Sequence, residues 1–361
     1  MHDDGLPGSR HAGTGSRAAR VDSPSPAIPA AGETADRAGS CNTPPRDKFV
    51  PPAVGVLAAG VDTLKLVSYV GDDRSVRAIE GLGTRSAAGG ARQVMAAIPD
   101  ARVFFYPATS LLGIEGHPGG EGALASGDDL AGWAEDVREL LYEQGLRLDD
   151  RLMVARCDAA VNVSTVPADG AAILAGAAAV VPPRLKVDTW RSRAGLETVY
   201  YARPGGSKVA RLYDWGVAHD PRGIPRHTNL RAEDQRRADR PSRREDVRHL
   251  STESVRHAFR ERFGALAKAT EGVTVASVPV LIDKLGVLVE QGGMTWAQAE
   301  RAIGYVMLTR SGAAPVSRKT TWRRQTELRE LGLVVAEGEL APVEVNLGEV
   351  YERIAEEGAW A

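Results

Sequence analysis

Cysteine is nearly absent from this chain: 361 residues contain 2, Cys41 and Cys157. One lies in a stretch without periodicity and the other on a predicted core strand. A disulfide framework or a cysteine-built zinc site is therefore not expected, and a reducing cytoplasm is. An excess of either charge sign is also missing. The 45 Lys and Arg against 47 Asp and Glu leave a net charge of −2. That argues against wholesale coating of nucleic acid and leaves room for local basic surfaces. Long apolar runs are lacking. No stretch approaches the ~20 residues of a membrane-spanning helix, and no charged-then-apolar signal opens the chain. The alanine-rich stretch Ala168–Val181 falls short and reads as a packed helix. The 7 histidines are scattered, with no His-x-His pair and no His-Glu-x-x-His, which disfavours a zinc hydrolase. No Gly-x-x-x-x-Gly-Lys-Ser/Thr loop occurs, so the sequence gives no sign of a built-in ATPase motor. No internal repeat is visible.

What is present suffices for a folded protein of two or three domains: 43% of residues are hydrophobic and 25% charged. Residues 1–48 are rich in Gly, Ser, Pro, Ala and Arg and read as a disordered tail. Residues 49–245 mix strands and helices. Strands are expected over Val61–Val70 and Arg102–Tyr106, and a helix over Asp128–Gln144. A hairpin joins Glu197–Arg203 to Lys208–Asp214 around Pro204-Gly205-Gly206-Ser207. Residues 246–361 turn helical, with helices over Val255–Lys268, Met294–Thr309 and Ser317–Leu331. Leu333–Val335 and the following Glu337-Gly338-Glu339 would form a small wing. The fold class is α+β: a sheet domain followed by a helical, winged-helix-like C-terminal region.

Three segments carry the chemistry. They are Arg156-Cys157-Asp158-Ala159-Ala160-Val161-Asn162, Ala210-Arg211-Leu212-Tyr213-Asp214 and Leu230-Arg231-Ala232-Glu233-Asp234-Gln235-Arg236. Each alternates with period two, so each reads as a strand with an apolar face and a polar face. If they share a sheet, the polar face collects Arg156, Asp158, Arg211, Tyr213, Arg231, Glu233 and Gln235. Asp158 and Glu233 are candidate ligands for a hard divalent cation, Mg²⁺ or Mn²⁺. The arginines can grip phosphate, and Tyr213 is a candidate nucleophile toward phosphorus. The structural alternatives stay open. Tyr213 can be an ordinary strand tyrosine, Tyr200 and Tyr201 compete with it, and Asp158 or Glu233 can pair with Arg156, Arg211 or Arg231 in cross-strand salt bridges. Further basic residues, Arg236 and Arg237, then Arg318, Lys319, Arg323 and Arg324, are candidate DNA contacts. Trp322 falls on a stripe with Gln325, Leu328 and Leu331 and is expected in the core.

Taken in order, these segments resemble the phage and plasmid replication proteins of the gene II/X family, rolling-circle initiators. The resemblance runs through Val61-Asp62-Thr63-Leu64, Arg156-Cys157-Asp158, Arg211-Leu212-Tyr213-Asp214, Arg231-Ala232-Glu233 and the helix opening at Ser317. It implies a replication-initiator nuclease domain of antiparallel sheet that nicks and rejoins one DNA strand at an origin. Tyr213 would be the nicking tyrosine, with Arg231 and Arg211 beside it and Asp158 and Glu233 holding the metal. The partners implied are origin DNA, single-stranded at the nick, with a host helicase and polymerase in the cytoplasm and no membrane. One departure matters: the family commonly carries Lys two residues after the tyrosine, and Trp215 stands there. A nicking-deficient DNA-binding regulator with the same fold is the alternative. A mobilisation relaxase is disfavoured by the absence of clustered histidines.

Overall fold

The computed structural model describes residues 54–120, 122–192, 195–203, 207–216, 226–238, 240–311, 317–335, 344–358 and 360. The expected tail (1–48), the hairpin tip 204–206, the turn at 220–223 and the tip of the expected wing lie outside the described residues.

The chain forms an α+β architecture. A large antiparallel sheet comes first and a group of helices follows. The sheet is built from β1 (Gly55–Tyr69), β2 (Thr84–Ser86), β3 (Arg92–Val94), β4 (Ala101–Tyr106), β5 (Leu111–Gly116), β6 (Met153–Ser164), β7 (Lys186–Ser192), β8 (Gly195–Ala202), β9 (Lys208–Asp214) and β10 (Asn229–Arg237). Interleaved are α1 (Asp73–Leu82), α2 (Leu130–Glu143) and α3 (Pro167–Ala179), with α4 (Thr252–Ala269) after β10. Local chemistry marks the helix starts. Asp72 accepts a bond from the Ser75 amide at 2.5 Å to open α1, Pro167 opens α3 with its φ already set, and Ser251 and Ser254 form a reciprocal capping box on α4.

The strand order is β2-β3-β4-β5-β1-β6-β10-β9-β8-β7. Each half runs β-α-β-β-β-β-α, and adding five to a strand's number maps one half onto the other in reversed order. The central pair, β1 and β6, is antiparallel, with Thr63 opposite Asp158. This is the pattern of a pseudo-twofold axis perpendicular to the sheet, so equivalent residues of the two halves face the same way. The sequence shows no corresponding repeat. A fold is specified by the period and punctuation of apolar residues, which survive when residue identity does not.

One face of the sheet is apolar and carries the core. Leu64, Leu66, Leu112, Ile114, Val161, Leu212, Val199 and Ala232 are buried there with Phe259 and Phe263 of α4. The polar face lies opposite. Residues 246–361, expected as one region, divide between two cores. The second core gathers around β11 (Thr274–Ala276), α5 (Val278–Glu290), α6 (Trp296–Ser311), α7 (Arg318–Glu330) and β12 (Leu333–Val335). Beyond it, β13 (Glu344–Asn346) completes a three-stranded sheet of order β12-β11-β13, and α8 (Leu347–Glu356) follows. Val350, Tyr351 and Ile354 of α8 join α4 in the main core, and the Tyr351 hydroxyl lies 2.8 Å from that of Tyr201. Among the described residues no helix is long and apolar enough to cross a membrane.

Trp322, expected in the core, is 65% exposed. Leu328 is the buried anchor of α7. At 3.6 residues per turn its stripe runs back through Arg324 and Thr321 and forward to Leu331, which turns Trp322 outward.

Candidate active site

Strands β6, β10 and β9 are neighbours, all antiparallel. Gln235 pairs with Asp158, Glu233 with Ala160 and Arg211, and Arg231 with Asn162 and Tyr213. Residues directly opposite one another share a face. The register thus gathers Asp158, Asn162, Arg211, Tyr213, Arg231, Glu233 and Gln235 on the polar face. Arg156 and Arg237, themselves paired, share it. Tyr200 also does, opposite Arg211, whereas Tyr201 points into the core and is 1% exposed.

Each carboxylate there is held by an arginine. Arg156 grips Asp158 through two nitrogens, one of them Nε at 2.9 Å, and Gln235 Nε2 donates to the same carboxylate at 3.2 Å. Arg211 donates to Glu233 Oε2 at 2.6 Å, and the Tyr213 hydroxyl donates to that oxygen at 3.3 Å. The Arg211 guanidinium also lies 4.9 Å from the centre of the Tyr213 ring. The salt-bridge alternative left open by the sequence is thus present together with the tyrosine–carboxylate contact.

Sequence reasoning missed the role of Asp62. The β1–β6 register shifts between Val61 and Thr63, leaving Asp62 as the extra residue of a bulge. Its Oδ1 accepts from Arg231 Nη1 at 2.5 Å. Arg231 is wholly buried, bonds Asn162 Oδ1 through Nε at 2.7 Å, and lies 4.8 Å from the Trp215 ring centre. The only signal for Asp62 in the sequence was its place in the first motif strand.

Arg236, expected among the DNA contacts, lies on the opposite face. It donates to Asp234 at 2.6 Å and to the Ala258 carbonyl of α4, and Arg262 donates to Asp234 at 3.4 Å. Alternation on β10 requires this, because Arg236 follows Gln235 by one residue. On α7, Lys319 is exposed, Arg323 has 60% of its side chain exposed, and Arg324 pairs with Glu327 at 2.5 Å. The Arg318 side chain lies outside the described residues.

Burial shapes the chemistry. It pushes the Glu233 carboxyl up from 4.5 to about 7, with Asp158 and Asp62 adding to the rise and Arg211 opposing it. Burial also pushes the Tyr213 phenol well above its ordinary 10, reinforced by Glu233. The phenol is therefore protonated at neutral pH, and its hydrogen is directed at Glu233.

Among the described residues no group of three or more His, Cys, Asp and Glu side chains forms a metal cage. The donors are fewer but suitable. Glu233 Oε1 is buried without a partner among the described groups. Asp158 lies diagonally across the β6–β10 pair from Glu233, a neighbour spacing of about 7–8 Å with the Cβ atoms somewhat closer. One or two carboxylates with waters satisfy Mg²⁺, so the orphaned oxygen fits a hard cation.

A pH effect follows. Folded Glu233 keeps its proton up to about 7, while the unfolded chain releases it near 4.5. The folded state then binds more protons across this window, so its stability falls as pH rises from 4.5 to 7. At about 1.4 kcal/mol per pKa unit the loss is on the order of 3 kcal/mol. Glu233→Gln should flatten that part of the stability–pH curve, as measured by urea unfolding between pH 4.5 and 8. Parallel wild-type and variant curves would refute the assignment.

No protein-family model matches the sequence, and no curated protein matches it significantly. Solved structures give a weak likeness. The chain is similar to a rolling-circle replication initiator protein from Geobacillus stearothermophilus, at 16% identity and a TM-score of 0.30, over 52% of this chain and 76% of that one.

Proposed function

We propose that this protein is a rolling-circle replication initiator that nicks and rejoins one DNA strand through Tyr213. The observation that carries the reading is the meeting of a phenol, a carboxylate of raised pKa and two arginines on the polar face of the sheet. The order of motifs along the chain supports it.

Glu233, once ionised, accepts the phenolic proton as Tyr213 Oη attacks the scissile phosphorus. The bond from phosphorus to the 3′ oxygen breaks. A 5′-phosphotyrosine ester forms, and the proton passes to the leaving 3′ oxygen to give a free hydroxyl. One diester replaces another, so the bond energy is kept for rejoining. Arg211 stabilises charge on the phosphate oxygens. Arg231, buried on the strand opposite Tyr213, adds positive charge beside the phenol without reaching the phosphate, in place of the lysine that Trp215 replaces. Glu233 and Asp158 would hold Mg²⁺ or Mn²⁺, which supplies Lewis-acid polarisation of the phosphate. The freed 3′ hydroxyl primes a host polymerase, and a host helicase opens the duplex.

The C-terminal helices and three-stranded sheet serve as a winged-helix-like reader of duplex DNA, with Lys319, Trp322 and Arg323 on the outward side of α7. Lys319→Ala with Arg323→Ala should weaken duplex binding and lower the slope of log K against log salt by about two, one for each phosphate no longer neutralised. Gel shifts across a salt series measure this, and an unchanged slope would remove α7 from the interface.

The regulator reading keeps one observation in its favour: Asp158 and Glu233 are already engaged by arginines. Supercoiled DNA carrying the origin decides, incubated with Mg²⁺ or Mn²⁺. Relaxation with a protein-linked 5′ end supports the initiator; a footprint without nicking supports the regulator.

A further inference from the structure

The pseudo-twofold relation gives the nicking site a counterpart in the first half of the sheet. Arg102 pairs with Glu115 across β4–β5 as Arg211 pairs with Glu233 across β9–β10. Two residues on, Phe104 occupies the place of Tyr213, and Tyr106 that of Trp215. The first half thus repeats the arginine–glutamate register, with phenylalanine, which has no hydroxyl, at the place of Tyr213.

Aromatic rings and cations are interleaved on this face. The register places Tyr106, Leu111 and Tyr69 in one row across β4, β5 and β1. Tyr69 is 58% exposed. Lys65 Nζ lies 5.3 Å from the Phe104 ring centre, 5.7 Å from that of Tyr106 and 3.1 Å from the Tyr106 hydroxyl. A Cβ at Gly113 would stand 3.1 Å from Tyr106 Cε2, so glycine there leaves room for the ring over the sheet. Arg156 continues the cations toward the nicking site and shares Glu115 with Lys65.

We propose that this half is a non-reactive holding subsite for single-stranded DNA, which carries the nicked strand away from Tyr213 across the sheet. The inference rests on the nicking reading for the identity of its substrate. Its own support is charge complementarity and continuity of one face. Bases stack on Tyr69 and Tyr106, while the exposed Arg102 and, beside it, Lys65 meet phosphates. From β9 to β4 is five strand spacings, roughly 24 Å, a span for a few nucleotides.

The test uses the full chain without divalent cation and a fluorescent oligodeoxythymidine of about 20 nucleotides, read by anisotropy. Tyr69→Ala with Tyr106→Ala should weaken binding about tenfold or more. Arg102→Glu, at an exposed position, should weaken it and reduce the salt dependence. Adduct yield on saturating origin DNA with Mg²⁺ should stay at the wild-type level in all three substitutions. Variant affinities within about twofold of wild type, or no oligonucleotide binding by wild type, overturn the proposal. Lost oligonucleotide binding in the variants, with no adduct even in wild type, upholds this subsite and sinks the nicking reading instead.

Discussion

Tyr213→Phe should abolish the covalent protein–DNA adduct and lower the nicking rate by a factor on the order of 10³ or more, as loss of a nucleophile does. DNA affinity should be nearly unchanged, since one hydroxyl is removed and the outward side of α7 is untouched. Stability should also change little: the phenol makes a single 3.3 Å bond to Glu233, and the ring keeps its packing beside Arg211. A denaturing gel with 5′-labelled origin DNA reads the adduct, and a gel shift reads affinity. Adduct formation by the Phe variant would transfer the nucleophile to Tyr200, which shares the polar face with Tyr213 across β8–β9. Tyr201 is a poor alternative, because its hydroxyl is buried and donates to the Ala177 carbonyl at 2.6 Å.

Arg231→Ala should produce the largest loss of stability, about 3–5 kcal/mol, the range for removing one partner of a buried ion pair. Folded domains are typically stable by about 5–15 kcal/mol, so a loss of ~5 kcal/mol would unfold a marginal one. The arginine is fully buried, and its removal leaves Asp62 Oδ1 and Asn162 Oδ1 without the donor that Arg231 gives each. Adding Asp62→Asn should recover part of the loss, because the uncompensated charge is gone. Urea unfolding of the single and double variants measures both effects. A loss below about 1 kcal/mol would mean that water reaches the site and satisfies Asp62. Arg231→Lys is no conservative change here. One ammonium cannot reproduce the fork that reaches Asn162 and Asp62 while lying against Trp215.

Much of this site was legible in the sequence because strand alternation is a local property. Period two assigned Asp158, Arg211, Tyr213, Arg231, Glu233 and Gln235 to one face before any neighbour was known, and the register gathers them there. The same rule, applied one residue further, moves Arg236 to the covered face; basic charge had grouped it with Arg237 instead. Helix starts at Ser251 and Ser317 were legible for the same local reason, since capping side chains bond amides within one turn. Less visible were the short strands β2 and β3, whose three residues each carry too little alternation to read; the apolar spacing of α5 was there to be read and was missed.

The sequence by itself determined the alternation of the strands, the positions of α2, α3, α4, α6 and α7 and the inventory of charged groups. Only the tertiary structure decided which charge meets which. It joined Asp62 to Arg231 across 169 positions. It turned Trp322 of α7 to the outside, and it brought α8 back to the core of a sheet that begins at residue 55. It also exposed the twofold arrangement of the sheet. The physical reason is common to these outcomes. Bulges, strand order and helix rotation are set by packing between segments far apart in the chain, and a local periodicity carries no information about its distant partner.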